Sequence, residues 1–119
     1  MDTAVRHYNH AHDYQRVGRF LVKTYGIREG HINWLQPRWE YVHYHPLIRN
    51  VDLGAIGVWE ARGEIAAVVH PEHGMGMAYF EIDPAYSGLK DAMLRYAEEH
   101  LSALSDGLRR LRIVINDRD

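Results

Sequence analysis

Histidine is the side chain in this sequence with the widest chemical range, and the 119-residue chain contains nine of them. Imidazole is the commonest metal ligand in proteins. His7, His10 and His12 form an H-x2-H-x-H cluster beside Asp13. If His7 ends a strand and the other two lie in a turn, the three imidazoles could converge on one metal ion. Two further pairs are His43/His45 and His70/His73.

The histidine spacing does not match a helical metal-binding motif such as H-E-x-x-H, and no carboxylate spacing completes a catalytic site. The pattern favours surface or capping roles, so the sequence assigns no metal ligand. A histidine-dependent metal-binding or interaction module remains open as an alternative function. Serine chemistry has no support, because Ser87, Ser102 and Ser105 lack the context of a nucleophile elbow.

Composition restricts the class of protein. Apolar residues make up 46% and charged residues 25%, with a net charge of −2 and a pI near 6.5, which favours neither nucleic acid nor an anionic membrane as partner. No apolar run approaches the roughly 18 residues that span a bilayer, and the N-terminus has no apolar signal region. The chain has no cysteine, which excludes disulfides and thiolate sites and leads us to expect a cytoplasmic protein.

The elements that must position any site follow from hydrophobic spacing. We predict a strand over 4–8 and a helix that begins at an Asp13 cap and ends before Gly26. A second helix is predicted from Asn33 or Gln36 to about Tyr44. Strands over 55–60, 65–70 and 77–82, a helix from 87 to about 101, and a last strand around 111–115 complete the chain.

This order, β-α-α-β-β-β-α-β, predicts a layered α/β or α+β domain. A tight turn at Arg62-Gly63-Glu64 joins the first two strands of the meander. The final helix returns the chain to the sheet, and a right-handed crossover would lay the last strand parallel to the third strand of the meander. Five aromatic residues could line a pocket, but we favour a core position for Trp39 and Trp59. The five are Trp34, Trp39, Tyr41, Tyr44 and Trp59.

Several local motifs, in this order and spacing, resemble one known family. They are Trp34-x4-Trp39, Val58-Trp59-Glu60, Gly63-x-Ile65-x-Ala67-Val68-Val69, Asp83-Pro84-x-Tyr86 and the helix end Tyr96–Leu101. The chain resembles the GNAT (Gcn5-related N-acetyltransferase) superfamily, and in particular the N-terminal lobe of two-lobed GNAT-like proteins. The resemblance runs from Val5 to Ile115. It implies a single GNAT-like domain over 1–119 that corresponds to the first two-thirds of the fold.

The resemblance implies acetyl-CoA as cofactor, with its pyrophosphate at the turn between the third meander strand and the helix. The positions in this place are Ile82, Tyr86, Ser87, Gly88 and Lys90. Active members have a Gln/Arg-x-x-Gly-x-Gly/Ala turn, in which glycines and free amides approach the phosphates. Here Gly88 is the only glycine and Asp91 adds a carboxylate that repels phosphate. We therefore expect an ordinary capped helix without a ligand.

The resemblance also implies a candidate base. Some members keep a carboxylate on the third meander strand, where this chain has Glu81. Strand alternation sends Glu81 to the face opposite Phe80 and Ile82, towards either a cleft or solvent. We expect solvent exposure or a structural ion pair. Tyr79 and Tyr86 are candidate proton donors to a thiolate, although a core position with a solvated hydroxyl is the ordinary role of such tyrosines.

Three functions follow from these observations. The first is a non-catalytic GNAT-like lobe with a degenerate pyrophosphate loop. It would pair with a second GNAT lobe or with a homodimer partner along the last strand, whose edge we expect to be uncovered because the fold's final helix and strands would follow Asp119. The second is a minimal N-acetyltransferase that still uses acetyl-CoA. The third is the histidine-rich module.

Overall fold

The computed structural model describes residues 4–24, 39, 53–71, 76–105 and 108–115. The helices are α1 (His10–Thr24) and α2 (Lys90–His100), with short 3-10 helices at Leu53–Ala55 and Pro84–Leu89. The strands are β1 (Ala4–His7), β2 (Gly57–Ala61), β3 (Glu64–His70), β4 (Met77–Ile82), β5 (Ala103–Ser105), β6 (Leu108–Arg110) and β7 (Arg112–Ile115). The helix predicted between 33 and 44 lies outside the described residues, apart from Trp39.

Five strands form one sheet in the order β1-β2-β3-β4-β7. The first four pair antiparallel, and β4 pairs parallel with β7 over Met77–Phe80. The parallel last pair confirms the prediction from the crossover, because α2 carries the chain back across the sheet before β7 begins. The layered α+β class is likewise confirmed.

The segment between α2 and β7 differs from the sequence prediction. Two three-residue strands, β5 and β6, form a separate hairpin there, whereas one final strand was predicted. Strands of three residues are too short for alternation to stand out, so the hydrophobic pattern alone did not reveal them.

The start of α1 corrects a second prediction. Asn9, not Asp13, occupies the cap position: its side chain accepts a hydrogen bond from the His12 amide at 3.3 Å. Asp13 lies one turn into the helix, and its carboxylate accepts from the Asn9 amide at 2.8 Å. The two side chains together satisfy amides that a helix N-terminus leaves without a partner. Asparagine and aspartate are both good caps, and the prediction of Asp13 as the cap was wrong.

The turn between β2 and β3 is as predicted. Arg62 and Gly63 have φ values of 56° and 78°, so both central residues adopt the left-handed conformation that suits a two-residue hairpin. Glycine adopts it at no cost, whereas Arg62 is the unusual member.

Each face of the sheet carries its own core. On one face, Val58 and Val68 pack with α1 residues such as Leu21 and with Trp39. On the other face, alternate residues of the same strands pack against α2, so that Phe80 contacts the cluster that contains Met93. Burial of Trp39 and Trp59 confirms their predicted core position. In the part of the chain that the structure describes, no helix has the length and apolarity to cross a membrane.

Candidate functional site

Glu81 lies on β4 and points to the α1 face of the sheet, opposite Phe80 and Ile82, as alternation predicts. It is not exposed to solvent: only 2% of the residue is accessible. Its Oε2 lies 2.7 Å from His70 Nε2 on the neighbouring strand β3. In the β3–β4 register His70 faces Tyr79 and Glu81 faces Val68, so the pair is diagonal across the two strands.

The hydrogen bonds of His70 fix how many protons the pair holds. Nδ1 lies 2.9 Å from the carbonyl oxygen of Pro71, which can only accept, so Nδ1 donates. Nε2 then either donates to the Glu81 carboxylate or accepts from a protonated Glu81. In both cases one proton is shared between Nε2 and Oε2, and the pair is neutral overall.

Aromatic rings enclose the His70–Glu81 pair. Tyr79 stacks on the His70 ring with a centroid distance of 5.7 Å, and Trp39 meets it edge-on at 5.6 Å. The Trp39 indole donates to the Tyr14 carbonyl of α1 at 3.1 Å, which fixes the ring over the pair. Glu81 is therefore buried beneath these rings and bonded to His70.

The turn after β4 forms a 3-10 helix over Pro84–Leu89. The Asp83 carboxylate caps it by accepting from the Ala85 amide at 2.9 Å, and the Tyr86 amide donates to the Asp83 carbonyl at 2.8 Å. The Lys90 amide donates to the Ser87 carbonyl. Three amides of the turn are therefore engaged within it. An open glycine-rich phosphate cradle has a different geometry, because its amides point outwards at the ligand.

The side chains of this turn also fit a pyrophosphate poorly. Ser87 and Gly88 are exposed, and a Cβ built on Gly88 meets no atom within 4 Å, so the fold itself does not require glycine there. Lys90 is the one cation between Asp83 and Asp91, so these three residues sum to a charge of −1. The turn thus offers one lysine and two carboxylates around its single glycine.

Two histidines of the H-x2-H-x-H cluster, His7 and His12, have different surroundings, and the side chain of His10 lies outside the described part of the structure. His7 is the last residue of β1, and the centroid of its ring is 5.8 Å from that of Tyr96 and 5.1 Å from that of His100, both on α2. His12 lies on α1, with Arg16 Nη1 3.0 Å from its Nε2. Within the described ranges no group of three or more histidine or acidic side chains is placed to hold a metal. Six of the histidine and aromatic candidates named above lie outside those ranges: His43, His45, His73, Trp34, Tyr41 and Tyr44.

A four-residue ion network, which sequence reasoning missed, connects β1, α1 and β2. Arg6 bonds both oxygens of buried Asp13 at 2.6 Å and also donates to Glu60 at 2.6 Å. Arg16 donates to the other Glu60 oxygen at 2.6 Å and to Asp13 at 3.2 Å. The charges of the two guanidinium groups and the two carboxylates in this network therefore sum to zero. Arg6 and Glu60 are 54 positions apart, so only the β1–β2 register brings them together.

The network shifts the acidity of its carboxyls. Burial alone would raise the pKa of Asp13, but the bonds from Arg6 and from the Asn9 amide outweigh it and hold that pKa below 3.8. The bonds from Arg6 and Arg16 hold the pKa of Glu60 below 4.5.

Acid should therefore weaken the fold through this network. Since both pKa values are lowered in the folded state, the stabilisation is complete above about pH 4.5 and is lost as the pH falls through the lowered values. We expect the free energy of unfolding, measured by urea denaturation, to fall below that pH in the wild type. Glu60→Gln should be less stable at neutral pH and show a flatter decline, whereas exposed Glu98→Gln should follow the wild type. If the free energy of unfolding fell with pH equally steeply in the wild type and in Glu60→Gln, this role of the network would be contradicted.

The sheet order, the parallel β4–β7 pair and the strand-to-helix turn define a GNAT-like fold. The E. coli ribosomal-protein-S18-alanine N-acetyltransferase has a similar structure, with a TM-score of 0.53 and 13% sequence identity. The match covers 84% of this chain and 59% of that chain. This likeness supports the fold. No family model and no curated protein sequence matches the chain.

Proposed function

We propose that residues 1–119 form a single GNAT-like domain that acts as a non-catalytic lobe. It would correspond to the N-terminal part of the fold and support a second lobe that performs the acetyl transfer. The observation that carries this proposal is the closed turn at Pro84–Leu89, where the amides of Ala85, Tyr86 and Lys90 bond within the chain. These three amides could bind an acetyl-CoA pyrophosphate only after those bonds had broken.

The position of Glu81 supports the same proposal. A general base must reach the proton that it removes, either directly or through one water. Glu81 is buried and bonded to His70 at 2.7 Å, beneath Trp39 and Tyr79. The carboxylate and the turn thus serve the chain's own structure, which is expected of a scaffold lobe.

The partner is proposed to dock at β7. In the described sheet β7 is an edge strand that pairs on one side with β4. The Arg112 amide points to β4, since it donates to the Gly76 carbonyl at 2.8 Å, and so the Ile113 amide points away from it. Exposed strand edges invite pairing with another chain. The partner would be a second GNAT lobe or a second copy of this chain. The lack of cysteine is our reason for placing this assembly in the cytoplasm.

Amide NMR spectra test the cofactor part of this proposal. With acetyl-CoA added to about 1 mM, where a ligand of 1 mM Kd is half bound, we expect unchanged chemical shifts for Ala85, Tyr86 and Lys90. The physical reason is that these amides already have acceptors. Saturable shifts confined to this turn would show a functioning cofactor site and favour the minimal N-acetyltransferase instead.

A further inference from the structure

A groove of about 300 Å³ separates the edge strand β1 from α2. His7 lines it from β1, together with Val5 and Arg6, and His100 lines it from α2, together with Tyr96, Arg95 and Glu99. Neither histidine belongs to the strand-to-helix turn or to the His70–Glu81 pair. Two adjacent imidazoles, whose ring planes meet at 90°, at a solvent-accessible groove have the chemistry of a transition-metal site.

The hydrogen bonds around His7 determine its tautomer. The Tyr96 hydroxyl has one proton, which it donates to the Ala55 carbonyl at 2.8 Å. His7 Nδ1 lies 3.0 Å from that hydroxyl oxygen and 3.2 Å from the Gly54 carbonyl, so both of its neighbours are acceptors and Nδ1 carries the proton. In the neutral ring the lone pair is then on Nε2. A carbonyl or hydroxyl that fixes the second nitrogen is how proteins orient metal-binding histidines.

The separation of the two rings fits a shared metal ion. Two imidazoles that bind one tetrahedral zinc ion through Zn–N bonds of about 2.1 Å have ring centroids about 5 Å apart. The His7 and His100 centroids are 5.1 Å apart. His100 also packs on the Tyr96 ring at 4.3 Å, so the same tyrosine positions both histidines. The Glu99 carboxylate, 3.7 Å from His100 Nε2, offsets part of the positive charge of a bound ion.

We propose that His7 and His100 bind one divalent transition-metal ion of the Zn²⁺, Ni²⁺ or Cu²⁺ class, with water completing its coordination. The site joins β1 to α2. Binding therefore links the N-terminal edge strand to a helix on one face of the sheet. It stabilises the folded chain by RT ln(1 + c/Kd), where c is the free metal concentration, so stability rises with the logarithm of metal concentration once the site is mostly filled.

Calorimetric titration of the tag-free protein with ZnCl2, together with melting curves, tests the site. We expect one ion per chain and a melting temperature that rises with Zn²⁺. His7→Gln and His100→Gln should each weaken binding at least about 10-fold, as ligand loss requires. His12→Gln is the matched control: it removes an exposed histidine whose Nε2 is already bonded to Arg16 at 3.0 Å, and binding should be unchanged.

A further variant, Tyr96→Phe, tests whether the orientation of the His7 ring matters for zinc binding in a protein that still folds. Tyr96→Phe keeps the ring that packs on both histidines but removes the oxygen that accepts from His7 Nδ1, so zinc affinity should fall about 10-fold in a folded protein, as outer-shell changes do. Circular dichroism establishes that each variant is folded. The proposal is overturned if the wild type shows no saturable zinc binding. It is also overturned if His7→Gln and His100→Gln bind zinc as the wild type does, or if His12→Gln loses binding equally.

Discussion

Glu81→Ala is expected to lower the free energy of unfolding by about 3–5 kcal/mol if the His70–Glu81 pair is ionic, and by about 1–3 kcal/mol if Glu81 holds the shared proton. His70 is fully buried and would keep its bond to the Pro71 carbonyl, but Nε2 would lose the Glu81 oxygen at 2.7 Å. The Tyr79 and Trp39 rings leave little polar surface to replace that oxygen. Urea denaturation followed by circular dichroism measures the change.

Matched variants identify the cause of that loss. Glu98→Ala removes an exposed carboxylate from α2 and should cost less than about 0.5 kcal/mol. Glu81→Gln can still donate an amide proton to His70 Nε2, so it should recover a large part of the stability if the shared proton belongs to Glu81. A double-mutant cycle with His70→Ala should show a coupling energy of about 1–3 kcal/mol. A loss below about 1 kcal/mol for Glu81→Ala would mean that the pair does not hold the two strands as described.

Gly57→Ala is the second substitution that we expect to lower the stability of the fold substantially. A Cβ on Gly57 would lie 2.6 Å from Tyr96 Cε1 and 2.8 Å from Cζ, closer than carbon atoms approach. The Tyr96 ring has little freedom to move, because its hydroxyl donates to the Ala55 carbonyl at 2.8 Å and its face meets Trp59 at 5.6 Å. Overpacking of this kind costs about 1–3 kcal/mol.

Gly88→Ala is the control for that substitution. Nothing lies within 4 Å of its added Cβ and its backbone is not in the left-handed region, so stability should be unchanged or rise by up to about 1 kcal/mol. Thermal denaturation of both variants gives the comparison. The packing of α2 on β2 would have to differ from this description if Gly57→Ala proved as stable as Gly88→Ala.

The sequence predicted those parts of the fold that depend on local patterns. Alternation placed Glu81 on the face opposite Phe80, and the Arg62-Gly63 pair defined the hairpin turn. The parallel pairing of β4 with β7 followed from the handedness of the crossover. Each of these inferences needs only residues close together in the chain or a general rule of topology.

Local patterns of this kind did not predict which residues the buried polar groups bond to. Glu81 was expected in solvent or in an ion pair, and the choice depended on what covers its face of the sheet. The cover is α1 together with Trp39, which is 42 positions away from Glu81. The Arg6–Glu60 bond likewise depends on strand register. Long-range contacts of this kind come from tertiary packing, so a single sequence gives no spacing that reveals them.

Calorimetric titration with acetyl-CoA tests most directly the central claim that this GNAT-like chain does not hold the cofactor. We predict no saturable heat, corresponding to a Kd weaker than about 1 mM. Gly88→Trp, which the open space around Gly88 should tolerate, should give the same result as the wild type. One-to-one binding with a Kd of about 1–10 µM would contradict the account, and its loss in Gly88→Trp would place the cofactor at the turn after β4.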